Sequence, residues 1–185
     1  MDSAQRRRGR LTFALVAAAF LGTPLLAALW YAYGDAGHGT RVNRGTLIDP
    51  PRPVEDAAAL GLTDRWTLVV RTRGGCDAPC AEALLMLRQL RLSFGNDAKH
   101  LARVLVSGQV ESDRAALAAA HPDLRVLAAA DARALVAVLD GAAPGQVFVV
   151  DPLGNAMLSY APAAPPADLK ADLKRLLKNS QSWLR

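Results

Sequence analysis

Between Leu11 and Tyr33 the chain carries no charged side chain. This run, LTFALVAAAFLGTPLLAALWYAY, leaves few places for the polypeptide to go. A helix rises about 1.5 Å per residue, so the run is long enough for a hydrocarbon core about 30 Å thick. Pro24 sits inside it, where a membrane helix tolerates a kink. Trp30, Tyr31 and Tyr33 gather at the far end, the position of an interfacial aromatic belt. Ahead of the run stands MDSAQRRRGR, with Arg6, Arg7, Arg8 and Arg10. The positive-inside bias then places the N-terminus in the cytoplasm and everything after Tyr33 on the outer, periplasmic side. A cleaved signal peptide is the rival reading, with GDA at 34–36 as a small-residue cleavage site. A signal core is about 7–15 residues, shorter than this run, which favours an uncleaved anchor in the inner membrane.

The net charge belongs largely to the same tail. Four arginines against Asp2 put +3 of the net +5 in the first ten residues, leaving +2 for the rest. The basic balance is therefore a topology signal, and no aromatic-and-basic stripe points to nucleic acid. The expected organisation is a cytoplasmic tail over 1–10, an anchor over 11–33, a Pro/Gly-rich spacer over 34–61 and one globular domain over 62–185.

Within the domain, RWTLVVRT at 65–72 reads as a buried strand. The run PCAEALLMLRQLRLSF follows with helical spacing at Leu84, Leu87, Leu90 and Phe94; Pro79 suits its first turn and Gly95-Asn96 its end. HLARVLVSG at 100–108 reads as a second strand. Ser112 is placed to cap a helix running to Ala120. DLRVL is a short strand, and 131–141 a helix closed by Gly141. Two apolar runs flank DPLGN in 146–160, a hairpin signal. A last helix carries a stripe of Leu169, Leu173, Leu176 and Leu177. Right-handed crossovers make the first two main strands parallel, and the hairpin adds an antiparallel pair. The expectation is an α/β, thioredoxin-like fold: a central mixed sheet with a C-terminal β-hairpin and flanking helices.

The only cysteines, Cys76 and Cys80, fall at the junction of the first main strand and its helix. Four apart on a helix start is about one turn, so both sulfurs share a face. Two thiols there can cycle as dithiol and disulfide in an oxidising compartment, or hold copper(I) as soft ligands. Arg71 and Arg73 add positive potential and Asp77 opposes it.

A thioredoxin-like domain behind one anchor, with CDAPC at 76–80, VFVVDPLGN at 147–155 and a final amphipathic helix, resembles the Sco family of copper chaperones. The resemblance spans about residues 62–178. It implies a role in loading the binuclear copper centre of cytochrome c oxidase, copper(I) on Cys76 and Cys80, and an oxidase subunit or another copper chaperone as partner. The departures are specific. The family's histidine ligand before the hairpin has no counterpart in DGAAPGQVFVV, 140–150. Asp77 and Ala81 stand where the family has prolines after each cysteine. SGQVES, 107–112, replaces an acidic motif. His38, His100 and His121 read as surface residues, with His100 at the end of the sheet opposite Cys76. Met86 and Met157 read as core fillers. Pro144 lies near the position of the cis-proline of many thioredoxin-fold oxidoreductases; its isomer is open.

Three functions follow: oxidase assembly through copper(I) handling or thiol reduction, general periplasmic thiol–disulfide exchange, and a non-catalytic scaffold with a structural disulfide. No nucleophile elbow or phosphate loop supports other chemistry.

Overall fold

The structure, a computed structural model, describes residues 3–33 and 42–180. They divide into two units, broken between Val42 and Asn43. The first holds helix α1, Ser3–Tyr33, with Pro24 inside it. Phe13, Phe20, Leu25, Leu26 and Trp30 on this helix are exposed. Among the described residues no helix is long and apolar enough to cross a membrane.

The second unit runs β1 (Thr46–Pro53), β2 (Trp66–Arg71), α2 (Ala78–Leu92), a 3-10 turn (Gly95–His100), β3 (Leu101–Ser107), α3 (Val110–Leu117), β4 (Leu124–Ala128), α4 (Arg133–Val138), β5 (Val147–Val150), β6 (Asn155–Tyr160) and α5 (Pro166–Ser180). Six strands make one mixed sheet in the order β1-β6-β5-β2-β3-β4. β2, β3 and β4 are parallel, and the hairpin β5–β6 and edge strand β1 are antiparallel. This is the expected thioredoxin-like sheet. Strand alternation sends Leu68, Val70 and Leu105 to one face, against Leu84 and Leu87 of α2 and Leu173 of α5. Val69, Val104 and Val106 face the other way, against Leu135 of α4 and Leu139 at its C-cap. Gly154 turns the hairpin at φ 92°, where a side chain is strained and a Cβ would also strike Ala57 at 2.4 Å.

The spacer assignment needs correction. Of residues 34–61, those at 34–41, His38 among them, lie outside the described residues. Residues 43–61 are part of the second unit: β1 pairs with β6, and Val54 and Ala57 enter the second core. Pro50, Pro51 and Pro53 are tolerated because β1 is an edge strand with one side free of ladder partners. Its start is fastened to α5. Asp172 is buried, and its Oδ2 accepts from Arg44 N–H at 2.7 Å, Gly45 N–H at 3.0 Å and the Tyr160 hydroxyl at 2.7 Å. Burial and the Asp172 carboxylate push the Tyr160 hydroxyl above the ordinary phenol range. Two smaller corrections concern α3 and α4. Ser112 lies inside α3, whose N-cap is Gln109. α4 ends at Val138 with Leu139 as its C-cap, short of Gly141, which follows in the loop at φ 76°.

His121 is buried, against the surface assignment. It packs beside Arg103, an inward-facing arginine of β3 that is fully buried. Arg103 Nε donates to Asp123 Oδ2 at 3.0 Å, its Nη2 pairs with Asp123 Oδ1, and its Nη1 reaches Leu84 O at 3.1 Å and His121 Nδ1 at 3.3 Å. A guanidinium only donates, so the imidazole nitrogen accepts and the ring is neutral. Burial, then the charges of Arg103 and Arg88, hold the His121 imidazole below its ordinary value of 6.5, against the pull of Asp123. The folded value lies below the unfolded one. The stability contributed by neutral His121 is thus complete above about pH 6.5 and drains away as pH falls below it. Urea denaturation of the full chain at pH 7.5 and at pH 5 should show the loss, and His121→Gln should flatten that slope. An equal slope in the variant would remove His121 from the account.

Candidate functional site

β2 ends at Arg71 and α2 begins at Ala78, and the loop between them carries Cys76. Sheet register brings several termini to this end. Arg71 lies beside Val106, Val70 beside Val147, and Val147 beside Tyr160. The first turn of α2 is set by Asp77, an N-cap whose Oδ1 accepts from Cys80 N–H at 3.1 Å. Pro79 stands in the first turn, where its missing N–H costs nothing.

Cys76 and Cys80 form a disulfide with Cα atoms 5.3 Å apart. Their placement differs from the expected one. Cys80 is in the first turn of α2, but Cys76 precedes the N-cap, so the bridge spans the cap and the sulfurs do not share a helical face. The pair is asymmetric: Cys80 is fully buried and Cys76 half-buried.

The loop is held from below by β3 and α3. The Gly74 carbonyl accepts from Gly108 N–H at 3.2 Å and from the Thr72 hydroxyl at 3.0 Å. A Cβ on Gly108 would meet Arg73 O at 2.2 Å, so only glycine permits this approach. Cys76 N–H donates to Asp113 Oδ1 at 2.9 Å, and Asp113 Oδ2 accepts from the Ser107 hydroxyl. Asp113 was not singled out in the sequence, although it directly follows SGQVES. The signal was available: an acidic residue one turn beyond the second strand sits at the cysteine end of a parallel sheet.

Pro144 and Gly145 approach from the opposite side. Gly145 has φ 76°, and a Cβ there would lie 2.9 Å from Pro79 O. Among the described residues the one cis peptide bond is Asp49–Pro50, so the Pro144 bond is trans. A groove of about 410 Å³ runs past Pro79, Glu82, Met86, Pro144, Gly145 and Tyr160.

A family model described as "transmembrane-like, thioredoxin-like, C-terminal domain" matches residues 66–180. The chain belongs to that family. No curated protein matches it. Solved structures resemble the thioredoxin-like domain. Arabidopsis thaliana ScoI with copper bound is 15% identical, with 65% of this chain and 88% of that chain covered and a TM-score of 0.51. At that identity the likeness shows the fold alone. BsSco, a member of the Sco family of cytochrome c oxidase assembly proteins, is 13% identical over 64% of this chain and 84% of that one, with a TM-score of 0.49. A thioredoxin-family thiol:disulfide interchange protein from Chlorobium tepidum is 17% identical over 64% and 84%, with a TM-score of 0.47.

The donor set of the thioredoxin-like domain is two sulfurs. Among the described residues no group of three or more His, Cys, Asp or Glu side chains is placed to hold a metal ion. His100 directly precedes β3, whose first residue Leu101 pairs with Trp66, the first residue of β2. It therefore stands at the end of the sheet away from Cys76, as expected. His121 is engaged by Arg103. Met86 and Met157 pack against the first core, as fillers do.

Proposed function

We propose that this chain is a membrane-anchored thioredoxin-fold protein that acts in cytochrome c oxidase assembly, and that it works by thiol–disulfide exchange through Cys76 and Cys80. The observation that carries the chemistry is the bond between a half-buried Cys76 and a fully buried Cys80 at the start of α2. Only Cys76 is open to a partner's sulfur, and Cys80 lies behind it to complete the exchange. The resemblance to the Sco family supplies the setting: an oxidase subunit, or a copper chaperone, whose copper-binding cysteines must be reduced before they take metal. The anchor rests on the uncharged run at 11–33, on the four arginines before it and on the exposed apolar side chains of α1. In this reading the domain stands on the periplasmic side of the inner membrane.

The test is oxidase activity in cells producing Cys76→Ser or Cys80→Ser. Activity should fall as it does when the whole chain is absent. Full oxidase activity alongside a general defect in periplasmic disulfide reduction would sink the assembly role and leave the exchange chemistry.

A second reading has its own support. Two sulfurs on Cα atoms 5.3 Å apart suit copper(I), which accepts soft ligands at low coordination. Copper(I) would then be cargo, held by Cys76 and Cys80 without a third protein ligand. Anaerobic titration of the reduced chain against a competing chelator should show one copper(I), lost in either serine variant, and no stable copper(II) form. Equal competition by wild type and the double serine variant would end the copper reading.

A further inference from the structure

We propose that Asp113 is a positioning residue for the cysteine pair, whose fixed negative charge beside Cys76 makes the dithiol a stronger reductant. The proposal rests on the exchange chemistry above and names a residue that tunes it. Asp113 comes from α3, 37 positions along the chain, yet its Oδ1 lies 2.9 Å from Cys76 N. It is 6% exposed. Its second oxygen takes the Ser107 hydroxyl, and Ser107 Oγ in turn accepts from Gln109 N–H at 2.8 Å. The carboxylate is thus clamped by β3 and the head of α3, and it cannot turn away from the loop.

The other charges around Cys76 do not cancel it. Asp77 follows Cys76 directly, carries the same sign, and has Oδ1 occupied by Cys80 N–H. Arg71 is committed elsewhere, donating to Leu139 O at 3.0 Å with Asp140 at 3.7 Å. Arg73 is exposed, where water screens it. The charge bonded directly to the Cys76 backbone is therefore negative.

That sign matters only when the disulfide opens. With glutathione as reductant, a glutathione thiolate attacks Cys76 Sγ. The S–S bond breaks and its electron pair leaves on Cys80 Sγ, which takes a proton. A second glutathione thiolate then attacks the glutathione sulfur of the mixed disulfide. Glutathione disulfide departs, and Cys76 is released with the electron pair as a thiolate. A carboxylate held beside it disfavours that anion, whereas the neutral disulfide is indifferent. The reduced state is raised relative to the oxidised one, and the dithiol gives up its electrons more readily.

The experiment is the redox equilibrium of the full chain with glutathione. Asp113→Asn keeps an oxygen for Cys76 N–H and removes the charge. Measured at about pH 9.5, above the ordinary thiol range of about 8.5 so that the thiolate is populated, its equilibrium should move up to about tenfold toward the dithiol, a potential up to about 30 mV more positive. Glu111→Gln removes an exposed charge from the same helix, keeps Asp113 and its clamp, and should leave the equilibrium where it is. Asp113→Ser provides a second uncharged acceptor if the asparagine variant folds poorly. A wild-type equilibrium in either folded, uncharged variant overturns the proposal. Failure of the assembly reading looks different: the wild type would equilibrate normally with glutathione yet leave a disulfide-bonded copper-ligand peptide unreduced.

Discussion

Asp123→Ala should destabilise the domain by about 3 kcal/mol, the lower end of the range for breaking a buried ion pair. The side chain of Arg103 is 0% exposed and that of Asp123 31% exposed. Removing the carboxylate leaves a guanidinium in the first core with only Leu84 O and the His121 ring as partners. Water entering from the exposed side of Asp123 moderates the cost. Arg91, 3.3 Å from the same carboxylate, loses its partner too. Burial alone would raise the Asp123 carboxyl, but the hydrogen bonds and charge of Arg103, with Arg91, hold it below its ordinary value. The pair's contribution is therefore present above the unfolded carboxyl value and lost as pH falls through the folded one. Urea midpoints measure the loss. Adding Arg103→Met should recover part of it, because an apolar side chain has no charge to leave unpaired. A double variant no more stable than Asp123→Ala alone would refute the charge argument.

Cys80→Ser should abolish turnover and accumulate a mixed disulfide on Cys76, and Cys76→Ser should abolish turnover without one. In the reduced protein the Cys76 thiolate attacks a substrate disulfide, and one substrate sulfur leaves. The Cys80 thiolate then attacks Cys76 Sγ and expels the other. Serine at 80 cannot perform the second step. Non-reducing mass measurement after incubation with an oxidised dithiol peptide would show the adduct. An adduct on Cys80 in Cys76→Ser would reverse the roles drawn from burial.

Much of this architecture can be read directly from residues. The runs at 65–72, 100–108 and 146–160 are apolar and β-branched enough to announce β2, β3 and the hairpin, and their order implies the mixed sheet. What escapes reading depends on partners distant in the chain. Pro50, Pro51 and Pro53 look like linker residues, and only the pairing of Thr46 with Ser159 reveals an edge strand. His121 reads as a surface residue because its partner is Arg103, inside a strand that otherwise looks wholly apolar. Cys76 is legible as a site residue but not in its position, because Asp77 takes the cap and starts the helix one residue later. Asp113 contributes to the site from another element, and no local pattern links it to a cysteine 37 positions earlier.

The three bonds gathered on Asp172 Oδ2 have a mechanical meaning. Two of them grip the main chain at Arg44 and Gly45, just upstream of the first β1–β6 pair, Thr46 with Ser159. The third runs from Tyr160, whose ring Gly45 approaches too closely for any Cβ. Tension entering the domain from its N-terminal side therefore loads this rivet before it reaches the β1–β6 ladder. An edge strand tugged from its end unzips one rung at a time, whereas a rivet ahead of the first rung must shear before any rung is exposed.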